Sequence, residues 1–146
     1  MRLDVIHRYY DACNRGDAEG VARECTPDVV HYFLVPGTAP VAGAEHLGRY
    51  WRKVRRLLDC RWSVDHAMEQ GDEAVIEWTM AWRVPETGDR RLVRGAEWYV
   101  FEGDRIAEIR AYYDQRADAD TGLVGFPYRE RGYTEERVPD PRQTAG

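Results

Sequence analysis

The feature that most constrains this chain is a change of hydrophobic period at Asp59. Before it the apolar residues recur at helical spacing, and after it they alternate. Between Leu3 and Cys13 they fall at Leu3, Ile6, Tyr10 and Cys13, with Val5 and Tyr9 widening the stripe, which predicts an amphipathic helix. Asn14-Arg15-Gly16-Asp17 ends it and starts another, because glycine suits the position after a helix and aspartate the position before one. That second, short helix carries Val21, Ala22 and Cys25 and stops before Pro27, and a strand follows from Val29 to Val35. Pro36-Gly37-Thr38-Ala39-Pro40 reads as a loop. From about Ala44 to Leu58 the residues Leu47, Tyr50, Trp51, Val54, Leu57 and Leu58 give the longest helical pattern in the chain.

Beyond Asp59, Cys60, Trp62, Val64, His66 and Met68 alternate with Arg61, Ser63, Asp65 and Ala67. Gly71-Asp72 turns the chain into a strand from Ala74 to Val84, and residues 85–89 turn it again into Leu92–Phe101. Glu102-Gly103-Asp104 leads to a last strand, Arg105–Tyr113. Loops this short join antiparallel neighbours. Three N-terminal helices followed by a curled meander predict an α+β fold, the helices packed on a curved antiparallel sheet. With 146 residues, one domain is expected over residues 1–130, with a flexible tail at 131–146. Gly125-Phe126-Pro127-Tyr128 gives the chain after Asp114 two aromatic anchors for docking.

Composition removes several classes of function. Lys and Arg number 21 against 26 Asp and Glu, a net charge of −5, which argues against a nucleic-acid-binding protein. Cys13, Cys25 and Cys60 are odd in number and have no CxxC spacing, so buried thiols in a reducing compartment are expected. The N-terminus lacks the pattern of a secretory signal, and no apolar run reaches membrane-spanning length. A cytoplasmic location and no membrane partner follow as expectations. GxGxxG, GxxxxGK, HExxH and GxSxG are absent, and His7, His31, His46 and His66 have no tight ligand spacing, so neither cofactor nor metal is expected.

Four pieces carry a resemblance: residues 9–30 (YYDACNRGDAEGVARECTPDVV), 41–51 (VAGAEHLGRYW), 97–114 (EWYVFEGDRIAEIRAYYD) and the meander between the last two. In this order they resemble the cone-shaped α+β superfamily of nuclear transport factor, ketosteroid isomerase, scytalone dehydratase, limonene epoxide hydrolase and the polyketide cyclases. Ketosteroid isomerases build an oxyanion hole from a first-helix tyrosine and an acid on the penultimate strand. The resemblance puts these on Tyr9 and Glu97. Their general base falls on Phe33, which cannot be one, whereas His31 lies two residues earlier on the same strand face. The epoxide hydrolase's water-activating set falls on Trp78, Met80 and Ala111 and is therefore missing.

Each candidate has a functional and a structural reading. Glu97 in an apolar cavity would hold its proton and donate it to a developing oxyanion, or equally remain charged and accept a proton; otherwise it is a surface or rim glutamate paired with Arg83 or Arg110. His31 can act as a general base, or be a half-buried histidine bonded to Asp28 or a backbone carbonyl. Tyr9 offers a phenol donor, its neighbour Tyr10 being the better core residue. Asp114 could orient His31 or simply end a strand. His66 lies on the apolar alternation and reads as a core or interface residue. Trp78, Met80 and Trp82 share a strand face and line a pocket or fill the core; Phe33, Trp51, Tyr99 and Tyr113 join them as expected substrate-binding residues. Glu77, Thr79 and Arg83 lie on the opposite face, where a homodimer through the sheet is expected. The implied activity is cofactor-independent isomerisation, cyclisation or dehydration of a small hydrophobic carbonyl compound (polyketide-, terpenoid- or steroid-like). The alternative is a module that binds such a molecule without turning it over.

Overall fold

The computed structural model describes residues 1–135. Three helices, α1 (Arg2–Arg15), α2 (Ala18–Arg23) and α3 (Ala44–Leu58), cover one face of a six-stranded sheet. Its strands are β1 (Cys25–Phe33), β2 (Val41–Ala42), β3 (Arg61–Gln70), β4 (Glu73–Arg83), β5 (Arg90–Glu102) and β6 (Arg105–Tyr113), in the spatial order β2-β1-β6-β5-β4-β3. The expected α+β architecture is present, with α3 and β6 at the predicted bounds. The sheet is mixed, however. β1 lies parallel to β6, while every other pair is antiparallel. No helix among the described residues is long and apolar enough to cross a membrane.

The junction between α1 and α2 follows the sequence chemistry. Gly16 takes a left-handed conformation (φ 66°) and its N–H reaches back to the carbonyls of Ala12 and Cys13. Asp17 caps α2 by accepting from the Gly20 N–H at 2.9 Å. α2 is shorter than expected. Cys25 opens β1 instead of closing the helix, because Glu24 already ends α2 and the next backbone groups pair with β6. Pro27 sits within the strand, where the register between Cys25 and Val30 shifts and no ladder N–H is demanded of it. All three cysteines are buried and free.

α3 sits directly against α2 at Gly48. A Cβ on Gly48 would lie 2.2 Å from the Ala18 carbonyl oxygen, so only glycine permits this approach. The contact seats α3 across the inner face of the sheet. There the side chains form rows running from strand to strand. One row is Val64, Trp78, Gly95 and Tyr113; the next is Ile76, Glu97, Ala111 and Phe33; the third is Ala74, Tyr99, Ile109 and His31.

A bulge in β3 between Val64 and His66 reverses the alternation that the sequence suggests. His66 is consequently exposed, 3.6 Å from Glu77, and is not a core residue. After Asp114 the chain crosses to the outer face and docks there. Thr121 exchanges backbone and side-chain hydrogen bonds with Leu92 and Arg94, the Arg94 guanidinium stacks 3.9 Å from the Tyr128 ring centre, and Tyr133 bonds to Glu77. Docking continues beyond residue 130, since the Thr134 N–H donates to Asp65 at 3.0 Å. The rest of the expected tail, residues 136–146, lies outside the described residues.

Because the Ala18 carbonyl is fixed in a helix, Gly48→Ala must push the two helices apart. A loss of about 1–3 kcal/mol in unfolding free energy is expected by chemical denaturation.

Candidate active site

Between α3 and the inner face of the sheet lies a cavity of about 510 Å³, a size usual for small-molecule sites. From the sheet, Ala111 is the small side chain of its lining, in a row otherwise filled by larger residues. Tyr50, Trp51, Val54 and Leu58 of α3 form one wall, and Trp78, Met80 and Trp82 of β4 form another. Pro85 and Glu86 from the β4–β5 connection, with Gln115–Ala117 from the docked tail, belong to the same lining.

Glu97 and His31 come together in this lining. His31 Nε2 is 3.9 Å from Glu97 Oε1, and both side chains are buried, with 1% and 6% of their surface exposed. The separation is too long for a direct hydrogen bond. Neither ring nitrogen of His31 has a hydrogen-bond partner among the described residues. The other oxygen of Glu97, Oε2, accepts from the Tyr99 hydroxyl at 2.5 Å. Burial pushes the Glu97 carboxyl up to about 7, with the hydroxyls of Tyr99 and Tyr10 opposing part of the rise. Burial drives His31 the other way, down to about 3. Burial thus favours the uncharged form of both groups, the carboxyl holding its proton up to about neutral pH and the imidazole giving its own up well below it.

Of the residues singled out from sequence, Phe33, Trp51, Trp78, Met80, Trp82 and Tyr113 line the cavity beside His31 and Glu97. Three do not. Tyr9 is packed behind the α3 wall, its hydroxyl accepting from Trp51 Nε1 at 2.6 Å. Tyr99 is fully buried beneath Glu97 and acts on the cavity only through that carboxyl. Asp114 is exposed and paired with Arg116 at 2.6 Å, so it does not orient His31. The pairing of Glu97 with Arg83 or Arg110 is also absent, because those arginines serve Asp59 and Glu108. Tyr10 has more than a packing role, being the tyrosine of α1 whose hydroxyl hydrogen-bonds with Glu97 and Tyr99. Tyr50 and Trp62 add lining; Trp62 opens the alternating stretch, and Tyr50 shares the α3 stripe with Trp51.

The two shifts have opposite consequences for stability. Glu97 titrates higher in the folded chain (about 7 against 4.5), so its contribution is complete below pH 4.5 and is lost as pH rises through 7. His31 titrates lower (about 3 against 6.5), so its contribution is complete above pH 6.5 and is lost as pH falls towards 3. Denaturation of wild type and Glu97→Gln across pH should show the wild type losing ground between pH 4.5 and 7, by up to about 3 kcal/mol. His31→Gln should show the reverse trend, the wild type gaining on it as pH rises from 3 to 6.5.

Comparison with known proteins assigns the fold. The model of the SnoaL-like domain matches residues 6–109. A protein of unknown function with a cystatin-like fold from Methylobium petroleophilum PM1 is 32% identical, with 97% of this chain and 93% of that one covered and a TM-score of 0.70. TerC, co-crystallised with polyporic acid, is 17% identical over 77% of this chain and 91% of its own, with a TM-score of 0.68. A candidate SnoaL-like polyketide cyclase from Jannaschia sp. CCS1 is 16% identical over 77% and 85%, with a TM-score of 0.66. No curated protein matches the chain in sequence. The fold is thus shared with these structures, and the chain belongs to the SnoaL-like domain family.

Proposed function

We propose that this protein is a cofactor-independent enzyme that moves a proton beside the carbonyl group of a small hydrophobic molecule, giving isomerisation, cyclisation or dehydration. The observation that carries the reading is the buried Glu97–His31 pair, 3.9 Å apart, in the lining of a largely aromatic cavity. A carboxyl group titrating near 7 gives and takes a proton at nearly equal cost at neutral pH, the condition general acid–base catalysis requires. Tyr99 holds Oε2, which leaves Oε1 on the His31 side as the working oxygen. A ligand oxygen set between Oε1 and His31 Nε2 can meet both, and the protonated carboxyl then donates to it as negative charge develops. The aromatic walls bind the remainder of the molecule and keep water away. Family membership supports small-molecule chemistry of this general kind.

A second copy of the chain is the partner we assign to the outer face. The tail covers that face over β3–β5, and Tyr32, Trp98 and Tyr112 remain exposed on it towards β1 and β6. The rival function is ligand holding without turnover, favoured by the complete burial of both His31 ring nitrogens.

The two functions separate in heavy water. A panel of fused-ring and aliphatic ketones is incubated with the protein and followed by proton NMR for deuterium entry next to the carbonyl. Wild type should accelerate exchange for at least one ketone that it also binds, and Glu97→Gln should reduce that rate by about 100-fold or more with binding retained. Binding with no exchange in wild type would leave the holding function, and equal rates in wild type and Glu97→Gln would remove Glu97 as the proton carrier.

A further inference from the structure

The row of the inner face that holds Trp78, Gly95 and Tyr113 contains an arrangement that the acid–base chemistry leaves unexplained. Trp78 on β4 stands opposite Gly95 on β5, and Gly95 stands opposite Tyr113 on β6. The indole does not rise from its own strand. It leans across Gly95 until its ring centre lies 5.6 Å from that of Tyr113, edge to face. A Cβ built on Gly95 would meet Trp78 Cζ2 at 2.6 Å and Cε2 at 2.9 Å, so the indole occupies the space of the missing side chain. The same Cβ would lie 2.8 Å from the Tyr112 carbonyl oxygen. That oxygen is part of the backbone of β6 and yields little, so an added methyl is pressed away from it and onto the indole, which has to move. Gly95 is not among the glycines with positive φ, and its requirement is therefore for space and not for backbone conformation.

We propose that Gly95 is a specificity-determining residue: by letting the Trp78 indole lie down across β5, it keeps open a slot for a rigid, flat, fused-ring ketone in preference to a flexible chain. Trp78 and Tyr113 floor the slot, and Tyr50 and Trp51 of α3 face it. Aromatic walls reward a flat aromatic guest through offset and edge-to-face contacts. A flexible guest gains less from them and also loses rotational freedom on confinement. An alanine at 95 would tip the indole upwards into the cavity and narrow this slot. The inference rests on the cavity being the ligand site.

The test is a double-mutant cycle read by isothermal titration calorimetry, with 2-acetylnaphthalene as the flat probe and 2-dodecanone, of equal carbon count, as the flexible one. Wild type should bind the flat ketone more tightly. Gly95→Ala should weaken it by about tenfold or more while changing the flexible ketone by less than about threefold. Phenylalanine lacks the indole's second ring, and the remaining contact with the Tyr112 carbonyl acts on both probes alike, so in a Trp78→Phe background the alanine should no longer change the ratio of the two affinities. That pair of proteins also keeps the comparison available if Gly95→Ala alone folds poorly. Equal weakening of both probes, or a full alanine effect on the affinity ratio persisting in the Trp78→Phe background, would overturn the role of Gly95. Failure of wild type to bind either ketone is a different result, because it removes the cavity as a ketone site.

Discussion

A carboxyl group deprived of nearly all its water governs how this molecule is arranged. Burying Glu97 is costly when it is charged, and the surroundings reduce that cost in two ways. The proton is held up to about neutral pH, and hydroxyls of Tyr99 and Tyr10 are supplied to the carboxyl group. Those hydroxyls come from the strand carrying Glu97 and from the first helix, so α1 has to lie where it does for the carboxyl to be tolerated. The neighbouring histidine solves the same problem by giving up its proton. Burial thus moves two neighbouring ionisable groups in opposite directions, each towards its uncharged form.

Helix seating and cavity depth are linked by small residues. Gly48 brings α3 close to α2, while Ala111 and a Trp78 indole laid across Gly95 keep the sheet surface beneath it low. Close approach on one side and a low surface on the other leave a hollow where a continuous core would otherwise form. Large aromatic residues then line the hollow without filling it.

Much of this was legible in the residue order. The helical period in Ala44–Leu58 and the alternation in Arg105–Tyr113 are strong enough to give the bounds of α3 and β6, and the strand parity placing Glu97 and Tyr99 on one face follows from β5 alone. Prediction fails where a local rule meets a tertiary one. The bulge after Val64 turns His66 outward, and a bulge leaves no mark in the apolar pattern. Tyr9 and Tyr10 are both buried, and which of them reaches Glu97 depends on how α1 is rotated over the sheet, a quantity set by packing. Asp114 is drawn to Arg116 because the chain leaves β6 for the outer face. The parallel pairing of β1 with β6 joins segments far apart in the chain, and no turn signal announces it.

That pairing also determines when the site can come into being. β6 is the last strand of the sheet to be made, yet it lies between β1 and β5, so the strand carrying His31 and the strand carrying Glu97 are brought together only by its arrival. Contacts of such long sequence separation form late and slowly. A nascent or partly unfolded chain therefore has its helices and its β3–β5 meander before it has any juxtaposed acid and imidazole. Competence for chemistry is thus tied to completion of the whole fold, and truncation within β6 would remove the cavity's proton-handling pair while leaving most of the secondary structure able to form.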